Sequence, residues 1–87
     1  MSYKLDQNYP NPFNPTTTIN YELQKPGFVS LKIYNVLGKV LVDLVNEVQE
    51  AGTHEISFNA ENLPSGTYIY KIQSGNFVQV RKMVLLK

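Results

Sequence analysis

Between Leu5 and Pro15 the chain reads Leu-Asp-Gln-Asn-Tyr-Pro-Asn-Pro-Phe-Asn-Pro, and no regular element survives such a run. Pro10, Pro12 and Pro15 donate no backbone hydrogen bond, and each holds φ near about −65°. The residues before them are pushed towards extended conformations. A helix and a central strand are therefore both excluded here. The segment is expected to be a folded but irregular lead-in. Asn8, Asn11 and Asn14 are suited to Asx-turns, and Tyr9 and Phe13 are the expected anchors in a core.

Beyond the prolines the pattern changes to period two. Thr18–Leu23 alternates strictly and points Ile19, Tyr21 and Leu23 inward; Phe28–Asn35 does the same with Val29, Leu31 and Ile33. Ser30, Lys32 and Tyr34 fall on the opposite face. One apolar and one polar face is the mark of an antiparallel sheet wetted on one side. Lys25-Pro26-Gly27 reads as a turn, and Asn35-Val36-Leu37-Gly38 as a hairpin connection in which Gly38 supplies φ > 0.

Lys39–Val45 is a further strand, apolar on both parities except at Asp43, and Asn46–Gly52 is expected to be a polar loop. Thr53–Phe58 places His54, Ile56 and Phe58 on one parity, and Thr67–Gln73 places Tyr68, Tyr70 and Ile72 inward. A brief helical turn is expected before Pro64. Ser74-Gly75-Asn76 reads as a tight turn. The last strand, Phe77–Leu86, changes apolar parity between Val80 and Met83, which predicts a bulge near Arg81-Lys82.

Six strands follow, with a seventh if Tyr3–Gln7 adds an edge. Turn signals recur about every 8–12 residues, as in a β-sandwich. The reading is all-β: an immunoglobulin-like antiparallel sandwich forming one domain over residues 1–87. Residues 1–2 read as an added start, and residues 5–15 as the lead-in packed on the sandwich.

Composition narrows the functions open to such a fold. A chain of 87 residues that is 43% hydrophobic can bury one core, hiding roughly 60–65% of its unfolded surface. A net charge of +1 with scattered lysines does not suit a nucleic-acid binder, which needs clustered cations. Without cysteine there is neither disulfide nor thiolate metal site. No apolar run approaches the roughly 20 residues of a spanning helix. No signal peptide opens the chain; were the domain exported, its export signal would lie elsewhere in a longer precursor.

Catalytic chemistry finds no support. His54 is the single histidine, and nothing positions a nucleophile or an acid beside it. Ser65-Gly66 lacks the preceding glycine of a nucleophile elbow. Glu47, Glu50, Glu55 and Glu61 read as solvated, and the lead-in offers only Asp6 as a carboxylate for a cation. No cofactor is expected. The aromatic residues read as core, apart from Tyr34 on the polar face.

Three segments carry a family resemblance. They are Asn8-Tyr9-Pro10-Asn11-Pro12-Phe13-Asn14-Pro15-Thr16-Thr17, then Leu63-Pro64-Ser65-Gly66-Thr67-Tyr68, then Lys82-Met83-Val84-Leu85-Leu86-Lys87. In this order the chain resembles the type A C-terminal sorting domain of type IX secretion cargo, and Ile33–Gly38 fits that family's central hairpin. The likeness runs from Leu5 to Lys87. A similar immunoglobulin-like domain occurs in the flagellar hook-capping protein, so fold alone does not fix function.

The resemblance implies a non-catalytic address label at the end of an exported cargo. The cargo would pass through the periplasm, and the folded domain would be recognised by the outer-membrane type IX translocon. A sortase-like protease would then cut it away, leaving the cargo at the cell surface or outside the cell. The upstream cargo domain is the other implied partner, and the isolated domain is expected to be a monomer. Asn11, Pro12, Phe13, Asn14, Pro15, Gly66, Tyr68, Lys82, Met83, Leu86 and Lys87 are the expected recognition residues, Gly66 through a backbone turn. An open last strand would suit strand addition by a partner. Two other roles fit a sandwich of this kind: a carbohydrate-binding or spacer module of an extracellular enzyme, and a structural assembly domain.

Overall fold

The structure, a computed structural model, describes residues 2–87. The alternating segments become seven strands: β1 (Lys4–Leu5), β2 (Thr16–Leu23), β3 (Gly27–Tyr34), β4 (Val40–Gln49), β5 (Gly52–Asn59), β6 (Gly66–Ser74) and β7 (Phe77–Leu85). They form a three-stranded sheet ordered β1-β2-β5 and a four-stranded sheet ordered β4-β3-β6-β7. All sheet pairings are antiparallel. This is the expected all-β, immunoglobulin-like sandwich.

The inward parities read from the sequence are the buried ones. Ile19, Tyr21 and Leu23 of β2, Val29, Leu31 and Ile33 of β3, and Tyr68, Tyr70 and Ile72 of β6 are all buried. With Phe58 of β5 and Met83 and Leu85 of β7 they fill the space between the sheets. β2, β3 and β6 thus contribute every second side chain to one core, as sandwich packing requires.

Three expectations about the strands are corrected. The polar loop expected at Asn46–Gly52 shrinks to Glu50-Ala51, because β4 continues to Gln49. Asn46, Glu47, Val48 and Gln49 pair with Ser30, Val29, Phe28 and Gly27; β4 is an outer strand of its sheet, where polar side chains are at no disadvantage. The bulge expected near Arg81-Lys82 is absent, since β6 and β7 pair without interruption from Gly66↔Leu85 to Ser74↔Phe77. The parity change has another origin. Val78 and Val80 face solvent at 51% and 50% exposure, while the inward parity holds Gln79 and Arg81. No helical turn forms before Pro64; a hydrogen-bonded turn from the Ala60 carbonyl to the Leu63 amide takes its place.

The bulges lie instead in β4. Its pairing with β3 shifts between Leu31 and Lys32, and again between Ile33 and Tyr34. Leu44 and Leu41 are the residues skipped. Each insertion flips the parity, which is why β4 reads as apolar on both faces. The β3–β4 hairpin turns where expected. The Asn35 side-chain oxygen accepts from the amides of Leu37 and Lys39 at 3.0 Å, and Gly38 takes φ 87°.

Candidate recognition surface

The lead-in is placed by its backbone as much as by its side chains. Its Tyr9-Pro10, Asn11-Pro12 and Asn14-Pro15 peptide bonds are cis. Tyr9 exchanges two hydrogen bonds of 2.9 Å with Thr18 of β2. Four residues later the Phe13 amide donates to the Val84 carbonyl at 2.9 Å, and the Leu86 amide donates to the Phe13 carbonyl at 3.0 Å. The lead-in therefore crosses from one sheet to the other.

Its anchors differ in part from those expected. Phe13 is buried and faces Phe58, with ring centroids 6.3 Å apart. Tyr9 is not an anchor: its ring is 79% exposed, because pairing with Thr18 turns the side chain outward. Leu5 and Asn8 are buried in its stead. Asn8 makes no Asx-turn. Its Nδ2 donates to Thr17 Oγ1 at 3.0 Å and to the Pro10 carbonyl at 3.2 Å, and its Oδ1 accepts from Gln7 Nε2. Asn11 also reaches outside its own turn, accepting the Val84 amide at 2.9 Å. A run whose prolines donate nothing leaves amide side chains to tie the backbone down.

Tyr70 is the pivot beneath this segment. Its hydroxyl donates to the Asp6 carbonyl at 2.7 Å and accepts the Asn8 amide at 2.8 Å. Burial pushes its pKa up to about 12, with the Asn8 amide and Arg81 pulling the other way. The folded value lies above the unfolded one. The resulting stability is thus complete below about pH 10 and is lost as pH rises through about 12, an effect of order 2 kcal/mol. Tyr21, raised mainly by burial, acts in the same direction. Tyr70→Phe is expected to cost about 1–3 kcal/mol, because the Asn8 amide and Asp6 carbonyl lose their partner. Urea denaturation at neutral pH measures that loss, and the variant should also show a flatter decline between pH 10 and 12.

The outer edge of β7 is already taken over its C-terminal half. Besides the two backbone bonds to Phe13 and the Asn11 contact, the Lys82 carbonyl accepts Gln7 Nε2 at 2.6 Å. Arg81 Nε reaches back to the Leu5 carbonyl at 3.0 Å. This explains the inward polar parity of β7: Arg81 faces the lead-in rather than the core. Strand addition along Lys82–Leu86 would have to displace the lead-in, so the last strand is not the open edge that was expected there.

The three resemblance segments meet at one corner. Gly66 pairs with Leu85, and its φ of 152° is one that side chains rarely adopt. The Lys87 amide donates to Ser65 Oγ at 3.1 Å, and Lys87 Nζ donates to the Glu61 carbonyl at 2.5 Å. The Ala60 amide donates to the Pro15 carbonyl at 2.9 Å. Of the expected recognition residues, Asn11, Pro12, Asn14, Gly66, Lys82, Leu86 and Lys87 are exposed and Pro15 is half-buried. Phe13, Tyr68 and Met83 are buried, and Tyr68 donates its hydroxyl to the Pro64 carbonyl at 2.5 Å. These three shape the corner from beneath. Sequence reasoning missed Asn8, Thr17, Gln7 and Arg81. Their only signal was a polar residue at an inward parity, seen at Thr17 and Arg81.

His54 stacks on Tyr21 at 5.2 Å, and its Nε2 lies 2.8 Å from the Glu50 carbonyl, a structural setting. Among the described residues no group of His, Asp or Glu could hold a metal ion, and no helix is long and apolar enough to cross a membrane.

Comparison with known proteins follows the same line. The family model described as "Secretion system C-terminal sorting domain" matches residues 7–86. No curated protein matches the chain. Among solved structures the chain is similar to part of PorZ, an essential bacterial surface component of the type-IX secretion system of Porphyromonas gingivalis. The TM-score is 0.63 and the identity 21%, over 98% of this chain but 11% of PorZ. At that identity the likeness is one of fold.

Proposed function

Because this chain belongs to the secretion system C-terminal sorting domain family, and so is a sorting signal for type IX secretion cargo, we propose that its composite corner is what the secretion machinery reads. Export to the cell surface or the extracellular space follows from the family. The finer reading is that the cargo passes through the periplasm with this domain folded. There the translocon recognises it, and a sortase-like protease takes it as substrate. The domain acts in that scheme as ligand and substrate, with no catalysis of its own.

One observation carries the proposal: three segments far apart in sequence converge on Phe13, Val84, Leu85 and Ser65. A partner that touches this corner senses the beginning, the middle and the end of the domain at once. It therefore reads only a folded chain. The exposed Pro12, Asn14, Leu86 and Lys87 offer a mixed apolar and cationic surface, and the proline-stiffened backbone leaves little to order on docking.

The test is a secretion assay. The domain is fused behind a signal peptide and a fluorescent reporter in a host with a working type IX system. Leu86→Ser with Lys87→Gln removes exposed groups while sparing the core. Surface fluorescence is expected to fall about tenfold, the effect of losing about 1.4 kcal/mol at an interface anchor. Surface fluorescence equal to that of the unaltered fusion, with an unchanged melting temperature, would show that the corner is not read.

A further inference from the structure

The two outer faces of the sandwich differ in charge. On the three-stranded sheet the outward positions are Thr16, Thr18, Asn20 and Glu22 of β2, facing Asn59, Ser57, Glu55 and Thr53 of β5, with Lys4 of β1 beside Glu22. That face is hydroxyl-rich, with two carboxylates to one lysine. On the four-stranded sheet, register sets Asp43, Lys32, Lys71 and Val80 in one row across β4, β3, β6 and β7, and Val40, Tyr34, Ile69 and Lys82 in the next. Three lysines share this face with one carboxylate.

The arrangement is not one that stability favours. Lys32 and Lys71 stand directly opposite each other on neighbouring strands, where like charges are destabilising. Relief is partial. Asp43 lies 3.8 Å from Lys32, and Lys71 Nζ sits 5.7 Å from the centre of the Tyr34 ring. Among the described residues neither Lys71 nor Lys82 has a carboxylate partner. Around them lie half-buried Tyr34 and Ile69, and Val78 and Val80 at 51% and 50% exposure.

We infer that the outer face of the β4-β3-β6-β7 sheet docks an acidic protein surface, whose carboxylates meet Lys71 and Lys82 while apolar groups cover Ile69 and Val80. Charge complementarity selects the partner's sign. The mixed chemistry selects a protein over a lipid layer: readers of anionic membranes gather about four to eight cations, whereas this face interleaves its lysines with Asp43, Tyr34 and valines. The inference goes beyond the corner proposed above. The Leu86 and Lys87 substitutions leave Lys71 and Lys82 in place, so the two readings fail separately.

The experiment is an NMR titration of the whole isotope-labelled domain with a synthetic oligoglutamate peptide at low ionic strength. A parallel arm uses phosphatidylglycerol vesicles. Amide shifts are expected at Lys32, Ile69, Lys71, Val80 and Lys82, weakening with added salt. Lys71→Gln and Lys82→Gln should each lower affinity about two- to fivefold, the size of an exposed ion pair, with Lys25→Gln as the unaffected control. The melting temperature of Lys71→Gln should be no lower than that of the parent, since a like-charge pair is removed; a purely structural lysine would not combine lost binding with retained stability. Peptide shifts spread over both faces, or affinity indifferent to both substitutions, would overturn the inference. Vesicle binding through the same lysines without peptide binding would overturn it in favour of a membrane.

Discussion

A chain ending at Arg81 is expected to be unfolded, and so to fail in secretion for a reason unrelated to recognition. The six residues removed include Met83 and Leu85, both fully buried. Losing either side chain alone costs about 2–5 kcal/mol. The deletion also strips the partners of Gly66, Thr67, Tyr68 and Ile69 on β6, together with the acceptor of the Phe13 amide. An 87-residue domain has a net stability of roughly 4–13 kcal/mol, at about 0.05–0.15 kcal/mol per residue. The removed terms consume most or all of that range. Circular dichroism and one-dimensional NMR of the truncated domain check the point: a cooperative thermal transition and dispersed amide signals would show that β7 is dispensable for folding. Lost secretion on deleting the terminus cannot therefore identify a recognition strand. The Leu86 and Lys87 substitutions can, because those side chains are exposed.

What was legible in the sequence was governed by local rules. Strict alternation over Thr18–Leu23 and Phe28–Tyr34 gave correct parities, because a strand buried on one face cannot slip by one residue without turning its apolar set to water. Alternation failed where a tertiary partner changed its meaning. In β4 two inserted residues reset the parity, so both faces read as apolar. In β7 the inward Arg81 serves the Leu5 carbonyl, a residue 76 positions away. The same limit applies at the corner. The three motifs were visible one by one, but their meeting depends on bonds such as Phe13 to Val84 and Lys87 to Ser65, which no spacing rule encodes. Tyr9 was misread for a related reason. Aromatic residues beside prolines suggest core, yet its backbone pairing with Thr18 decides where the ring points.

Phe13, the lead-in's aromatic anchor beneath the corner, gives the other large expected effect. Phe13→Ala should destabilise the domain by about 3–5 kcal/mol, the range for emptying an aromatic core site. Phe13 is 2% exposed and packs against Phe58 from a segment with no side chain-independent hold on the core other than its hydrogen bonds. At about 4–8 °C per kcal/mol for a domain of this size, the melting temperature should fall by at least about 12 °C. The loss should be uneven. Hydrogen exchange at the Val84 and Leu86 amides, which the Asn11 side chain and the Phe13 carbonyl hold, should accelerate more than at Leu31 in the middle of the sheet. Asn11→Ala is the milder companion: it removes one acceptor near the surface and should cost about 1 kcal/mol, with faster exchange confined to Val84. Equal acceleration at Leu31 and Leu86 in Phe13→Ala would mean that the lead-in and the sandwich unfold as one unit. A melting temperature within a few degrees of the parent would mean that Leu5 and the lead-in's hydrogen bonds hold it without the Phe13 ring. The first outcome leaves the corner an inseparable part of the fold; the expected one makes it a clasp that opens before the sandwich does. A partner reading an openable clasp would be sensitive to partial unfolding of the domain well before the core is lost.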